Sequence, residues 1–331
     1  MDKSITISDI ASELNISKTT VSRAISGKGR IGVETRQRVM DYIEQHDYHP
    51  SVLARGLAKN KTYNIGVLLP SDANVIATPF FQTCLMGVCE VAILKDYDVI
   101  VTTAAERDIS YLERVVQNNK ADGFILTRTL VNDKAIAFLK EKRIPFVVIG
   151  SVDDKGVAQV DSNHMTACKE LTSILLKSGN RAVALMGGNP SHVVDKSRYL
   201  GYRSAFEATG IPIREDLIYM NMNSQVVIDQ VLERMMCGHV DCIICSDDVI
   251  CSRVLAKLHR EHIHIPKDIR VASLHNNAIL ETYDPPVTAI NIDVRQLGIE
   301  ACNKIIKMIE GVEITPRTEI HYEIVIRNST M

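Results

Sequence analysis

The stretch Thr6-Ile-Ser-Asp-Ile-Ala-Ser-Glu-Leu-Asn-Ile-Ser-Lys-Thr-Thr-Val-Ser-Arg23 reads as two short helices joined by a tight turn. Thr6 with Asp9 three residues on is a capping-box-like start, and Ile7, Ile10, Ala11 and Leu14 follow at helical spacing. That spacing predicts an amphipathic first helix, docked by its apolar stripe. Asn15-Ile16 makes the turn, Ser17 is a second N-cap, and Val21, Ala24 and Ile25 supply the buried stripe of the second helix. Its other face carries Lys18, Thr19, Ser22 and Arg23, all able to hydrogen-bond and none acidic. A helix so equipped fits the major groove of DNA, where base edges are read by residues near the helix N-terminus. A plain helical hairpin with a solvated polar face has the same spacing, so the rest of the chain must decide.

At 331 residues the chain is long enough for two or three units with substantial cores. Its net charge of -2 excludes a uniformly basic coat. Residues 1–61 hold ten Lys+Arg against seven Asp+Glu, however, while the other 270 hold 28 against 33. The basic excess therefore sits with the two-helix stretch, as phosphate binding requires. No apolar run reaches the length of a membrane span, and Met-Asp-Lys-Ser at the start lacks the apolar core of a signal peptide. A cytoplasmic location is expected. Eight cysteines follow no disulfide-scaffold pattern, which predicts free thiols.

After Ser26-Gly27, the residues Val33, Val39, Met40 and Ile43 mark a third helix that closes a headpiece near Tyr48. The segment Pro50-Ser-Val-Leu-Ala-Arg-Gly-Leu-Ala58 is a possible short helix. Gly56 inside it costs about 1 kcal/mol relative to Ala, and so short a helix is marginal alone, so it should fold conditionally. From Tyr63 onward, apolar runs at Ile65–Leu69, Val99–Thr102, Gly123–Leu126, Phe146–Ile149, Ala182–Met186, Cys242–Cys245 and Arg270–Leu274 alternate with helical stretches. Such alternation predicts parallel sheets with helices on both faces. The expected fold is an all-α helix-turn-helix headpiece followed by an α/β domain of two doubly wound parallel-sheet subdomains, with a ligand cleft between them.

The Thr20-Val21-Ser22-Arg23 run at the N-terminus resembles the helix-turn-helix of the lactose-repressor (LacI/GalR) family of bacterial transcription regulators. Further signatures are Asp161 before Asn163, Arg198-Tyr-Leu-Gly201-Tyr202, Ile265-Pro266-Lys-Asp268-Ile-Arg-Val271, Pro285-Pro286-Val-Thr288 and the helix around Leu297-Gly298. Thr78-Pro79-Phe80-Phe81 and Val194-Asp-Lys-Ser-Arg198 look most like the maltose-operon repressors within it. The resemblance implies a homodimeric repressor of carbohydrate-use genes whose partners are double-stranded operator DNA and a sugar or sugar phosphate effector. It implies no catalytic residue, no cofactor, no metal and no membrane partner. The implied parts are a headpiece at 1–49, a hinge helix and linker at 50–61, and an effector-binding and dimerisation domain at 62–331. That domain would divide into an N-subdomain of about 62–160 plus 293–319 and a C-subdomain of about 161–292 plus 320–331. Contacts to DNA would come from Thr6, Ser17, Lys18, Thr19, Thr20, Ser22 and Arg23, with base choice at Lys18, Thr19 and Arg23. From the hinge they would come from Ala54 and from Leu57, an apolar wedge for the minor groove. The main rival is a sugar-binding component of a transport system, which would need an export signal and no headpiece.

Cleft residues should lie just past the carboxyl ends of strands: Ser71 and Asp72, Gly150 and Ser151, Ser246 and Asp247. Phe80 and Phe81 could stack on a sugar ring or a base, or could be core. By its place in the Arg-x-x-Gly signature, Arg198 would offer its fork of donors to effector, and Asp247 would accept from ligand hydroxyls. His275 stands where relatives usually carry a carboxylate, and it either faces the cleft or is a satisfied structural histidine. Three enzyme-like patterns are read as structural. Alternation sends Cys242 and Cys245 to opposite faces of a strand, and His259, His262 and His264 fall where a helix ends before Pro266. Met186-Gly-Gly-Asn-Pro190 lacks the residues of a phosphate loop and reads as a turn.

Overall fold

A computed structural model describes residues 5–26, 30–46, 61–72 and 78–331. The hinge segment 50–58, with Ala54 and Leu57, lies outside the described residues. The chain divides into two compact units, Met1–Thr62 and Tyr63–Met331.

The first unit contains α1 (Ile7–Glu13), α2 (Lys18–Ser26) and α3 (Val33–Gln45). Thr6 and Asp9 form the capping box that the sequence predicts: the Thr6 hydroxyl accepts from the Asp9 amide, and the Asp9 carboxylate accepts from the Thr6 amide at 2.8 Å. At the start of α2 the Ser17 hydroxyl accepts from the Thr20 amide at 3.1 Å. Ile10, Val21, Ala24 and Val39 are fully buried and make the centre of a slender core, with Leu14, Ile16, Ile25 and Ile43 packed around it. Two apolar residues that mark α3 do not join that core, since Val33 is 87 % and Met40 43 % exposed. Val39 and Ile43 share a face at i, i+4 spacing, and Met40 is turned about 100° away from Val39.

The second unit holds two six-stranded sheets. The first consists of β1 (Asn64–Pro70), β2 (Asp98–Ala104), β3 (Gly123–Leu126), β4 (Phe146–Ile149), β5 (Ala158–Asp161) and β11 (Arg317–Glu319), in the order β11-β5-β4-β3-β1-β2. Every pairing in it is parallel. The second consists of β6 (Val183–Met186), β7 (Ile218–Tyr219), β8 (Cys242–Cys245), β9 (Arg270–Ser273), β10 (Thr288–Ile292) and β12 (Tyr322–Val325). Its order is β12-β10-β9-β8-β6-β7, with only β12 antiparallel. Strands buried on both faces need helices on both sides. Helices α4 (Pro79–Leu94) and α12 (Val294–Ile309) pack on the Val67 and Val147 face of the first sheet, and α5 (Ser110–Gln117) and α6 (Lys134–Glu141) on the Leu68 and Val148 face. On the second sheet α7 (His164–Lys177) and α8 (Val193–Thr209) cover the Leu185 and Ile244 face, while α9 (Gln225–Met236) and α10 (Asp248–Arg260) cover the Met186 and Ile243 face. A short α11 (Ala278–Thr282) follows β9.

Close helix packing sets where glycine is needed. A Cβ on Gly298 of α12 would stand 2.1 Å from the Cys84 carbonyl of α4, so no larger residue fits that crossing without separating the helices. In each sheet the strand order reverses beside the first strand of the winding, β1 next to β3 and β6 next to β8. Ligands of such sheets bind at that reversal, outside the carboxyl ends. The apolar run at Cys242–Cys245 is β8, and its two cysteines belong to the cores on opposite faces of the sheet. Burial pushes the Cys242 thiol up to about 12. Among the described residues no helix is long and apolar enough to cross a membrane.

Candidate functional site

Helix α2 is anchored from one side. Val21 and Ala24 are fully buried, and Lys18, Thr19, Ser22 and Arg23 are all exposed. Ser17 and Thr20 bond to each other through their hydroxyls at 2.8 Å, which orders the first turn of the helix. Thr6 is exposed at the start of α1, with its hydroxyl 2.6 Å from the Asp9 carboxylate. A preformed, outward row of polar side chains on a helix that itself carries no acidic residue can approach a polyanion at little conformational cost.

The second candidate site lies between the two sheets. Arg198, on the first turns of α8, is only 7 % exposed. Its Nη2 donates to the Leu274 carbonyl at 3.4 Å, while its Nε is buried with no hydrogen-bond partner among the described residues. A buried, unpaired guanidinium N–H is costly unless a ligand supplies an acceptor. Around it stand carboxylates from α8 itself and from the start of α10, just past β8. Asp195 accepts from the Ser246 hydroxyl at 2.5 Å and lies 3.5 Å from His192 Nδ1. Burial raises the pKa of Asp195, but hydrogen bonds from His192 and Ser246 and the charge of Arg198 outweigh it and hold the group below the usual carboxylate value. A Cβ on Gly188 would fall 2.4 Å from Asp195 Oδ2, so the Gly187-Gly188 turn after β6 is what lets this carboxylate in.

Asp247 caps α10, accepting from the Ile250 amide at 2.7 Å, and its pKa is raised chiefly by burial. The next residue, Asp248, is buried and accepts from Asn277 at 2.6 Å. It also lies 3.0 Å from His275 Nδ1. Burial works to raise the pKa of Asp248, and its bond to His275 is the largest of the effects that bring it below normal. His275 is thus satisfied by a carboxylate and also meets the opposite wall, its ring 6.0 Å from that of Phe80 in an edge arrangement. Phe81 is buried behind Phe80, with centroids 5.4 Å apart. At the crossing from β5 into α7, His164 lies 3.3 Å from Asp161, and burial lowers its pKa despite that partner. Asp72 is exposed at the end of β1 and engaged by both terminal nitrogens of Arg128, at 2.6 and 3.3 Å.

The two walls also touch along the backbone. The Val131 amide donates to the Ser191 carbonyl at 2.9 Å and the Val193 amide to the Thr129 carbonyl at 3.2 Å, framing a β-bridge between Leu130 and His192. Arg198, Asp247, His275 and Phe80 therefore come together around one cleft. Asp72 stands apart in its pair with Arg128, and Phe81 sits behind the wall. Asp195 and Asp248 are the residues the sequence reading did not assign. Asp248 is signalled only by the doubled carboxylate of Ser246-Asp247-Asp248, and Asp195 by its place one turn before Arg198. Among the described residues no group of three or more His, Cys, Asp or Glu is arranged to hold a metal ion.

Comparison with known proteins bears on both parts. Residues 62–328 match the family described as periplasmic binding proteins and sugar binding domain of the LacI family, and residues 6–51 match bacterial regulatory proteins of the lacI family. The transcriptional regulator MalR of Staphylococcus xylosus is 28 % identical over 317 residues, covering 94 % of this chain and 93 % of that protein. Catabolite control protein A of Streptococcus mutans is 25 % identical over 316 residues, covering 95 % and 94 %. In fold, the chain is similar to the lac repressor dimer bound to operator and the anti-inducer ONPF, with a TM-score of 0.84, 20 % identity, and coverage of 99 % of this chain and 100 % of that one. A transport-type sugar-binding protein accounts for the second unit alone and leaves the headpiece match without a role. With both of its units matched, this chain belongs to the LacI family of DNA-binding bacterial transcription regulators.

Proposed function

We propose that the chain acts as a homodimer repressing carbohydrate-use genes, with its operator affinity set by a sugar-type effector taken into the cleft around Arg198. The observation that carries this reading is α2, locked by Val21 and Ala24 on one side and exposing Lys18, Thr19, Ser22 and Arg23 on the other. Lys18, Thr19 and Arg23 read base edges; Thr6, Ser17, Thr20 and Ser22 hold the phosphate backbone. The headpiece spans 1–49 and the effector domain 62–331. The segment 50–61 between them, with Ala54 and Leu57, acts as the hinge that meets the minor groove. In the cleft, Arg198 Nε supplies the donor for a ligand oxygen, Asp247 accepts from a hydroxyl, and Phe80 with His275 closes over the sugar ring. An apolar face on α4 supports a second copy as partner, since Met86, Ile93 and Leu94 are 61 %, 74 % and 77 % exposed.

Duplex sites selected from random DNA, by the wild type and by a variant with Lys18 and Thr19 exchanged, test the reading helix. The exchange should redirect the selected sequence, with about 1–3 kcal/mol of discrimination at each altered base pair. A variant that selects the same site and binds every sequence equally less well would remove α2 from base readout. For the effector, maltose is the first probe, and it should raise the melting temperature of the full chain because it binds only the folded state.

A further inference from the structure

The charges that surround Arg198 say which kind of effector the cleft accepts. Asp195 and Asp247 both feel the Arg198 charge directly, and they also feel each other. Asp248 stands beside His275, which together with Arg198 faces His164, itself held to Asp161. The guanidinium of Arg198 therefore already has the Asp195 carboxylate close to it before any ligand arrives, with Asp247 near both. The Asp72–Arg128 pair adds no net charge. Asp195 and Asp248 are both held as carboxylates by their partners. What Arg198 still lacks is one acceptor for Nε, a need that a neutral hydroxyl oxygen meets as well as an anion does.

We infer that this cleft admits uncharged or cationic polyols and rejects phosphorylated and carboxylated ones, an inference that rests on the cleft being the effector site. A phosphate or carboxylate drawn toward Arg198 would also be brought against the Asp195 carboxylate in a buried setting, where like charges are screened little and repel strongly. An amine in the same place would find carboxylates with capacity to accept. Repulsion of this kind is a recognised way to discriminate between ligands of similar shape.

The test uses the full chain at pH 8, where unperturbed histidines are neutral, and at one fixed salt concentration. Maltose, glucose, glucosamine, glucuronate and glucose 6-phosphate are compared by calorimetry and by melting temperature. Glucuronate and glucose 6-phosphate should bind at least about a hundredfold more weakly than glucose, and glucosamine no more weakly than glucose. Asp195→Asn keeps a side-chain oxygen that can still accept from the Ser246 hydroxyl but removes one charge. It should narrow the gap between glucose 6-phosphate and glucose by about tenfold, whereas a merely structural Asp195 would change both affinities by the same factor. An anionic sugar that binds as tightly as its neutral parent would overturn the inference and leave the effector site standing. If no member of the panel shifts the melting temperature, the effector reading itself falls and takes the inference with it.

Discussion

In the headpiece, a handful of fully buried residues such as Ile10, Val21 and Ala24 serve to hold polar side chains outward on α2. In the unit that begins at Tyr63 the arrangement is inverted, and Arg198, Asp195, Asp248 and His275 are buried between two walls. On the proposed function, the difference follows from what each has to meet. A duplex is a long polyanion approached from outside, so its contacts are exposed, salt-screened and individually weak. A small ligand is surrounded, so each charge that waits for it must be partnered in the meantime, as Asp248 is by His275 and Asn277. The small core carries the recognition surface, and the large core hides it.

The largest effect that separates the two regions is expected from Ile10→Ala. Removing a fully buried Ile costs about 2–5 kcal/mol, which a unit with so few buried residues among those described cannot absorb. Operator binding measured by anisotropy should be lost, while the effector-induced rise in melting temperature persists. Loss of both would mean that the two units do not fold independently.

A smaller effect, confined to the larger unit, should come from pH. Burial, aided by the charges of Arg198 and His275, keeps the folded-state pKa of His164 below its ordinary value of 6.5. The unfolded chain therefore binds the proton more readily. The stability His164 contributes is complete above about 6.5 and falls as the pH drops below that value toward the folded pKa. Urea midpoints of the full chain should decline from pH 6.5 to 5, and His164→Gln should flatten that decline. An unchanged slope would release His164 from this role. The smallest effect returns to the headpiece. Thr6→Ala should cost about 1 kcal/mol in headpiece melting, and Thr6→Ser should restore most of it because either hydroxyl can cap α1.

The stretch from Thr6 to Arg23 was readable because caps and apolar stripe are local, and both take the predicted places. Strands β3, β4 and β8 lie where apolar runs mark them. Strands β5, β7, β10, β11 and β12 carried no such mark: apart from the two-residue β7, each mixes polar with apolar residues or, in Arg317–Glu319, is wholly polar. They exist because a neighbouring strand offers a ladder, which is a tertiary property. The cleft divides in the same way. Arg198 could be found from its motif, but the approach of Asp195 to Ser246 spans 51 residues of chain and depends on the missing side chain of Gly188.

The bridge between Leu130 and His192 bears on time as well as on affinity. Two backbone hydrogen bonds hold the Thr129 and Ser191 segments together beside the cleft, and neither depends on side-chain identity. To part the walls there both must break, so on the proposed function a molecule leaving the cleft would meet a cost of about 0.5–1.5 kcal/mol for each. Substitutions on the cleft walls would then alter how tightly a molecule is held, while changes in the turns that carry Thr129 and Ser191 would alter how often it has the chance to leave. A regulator so built can retain a signal longer than the strength of its polar contacts alone would require.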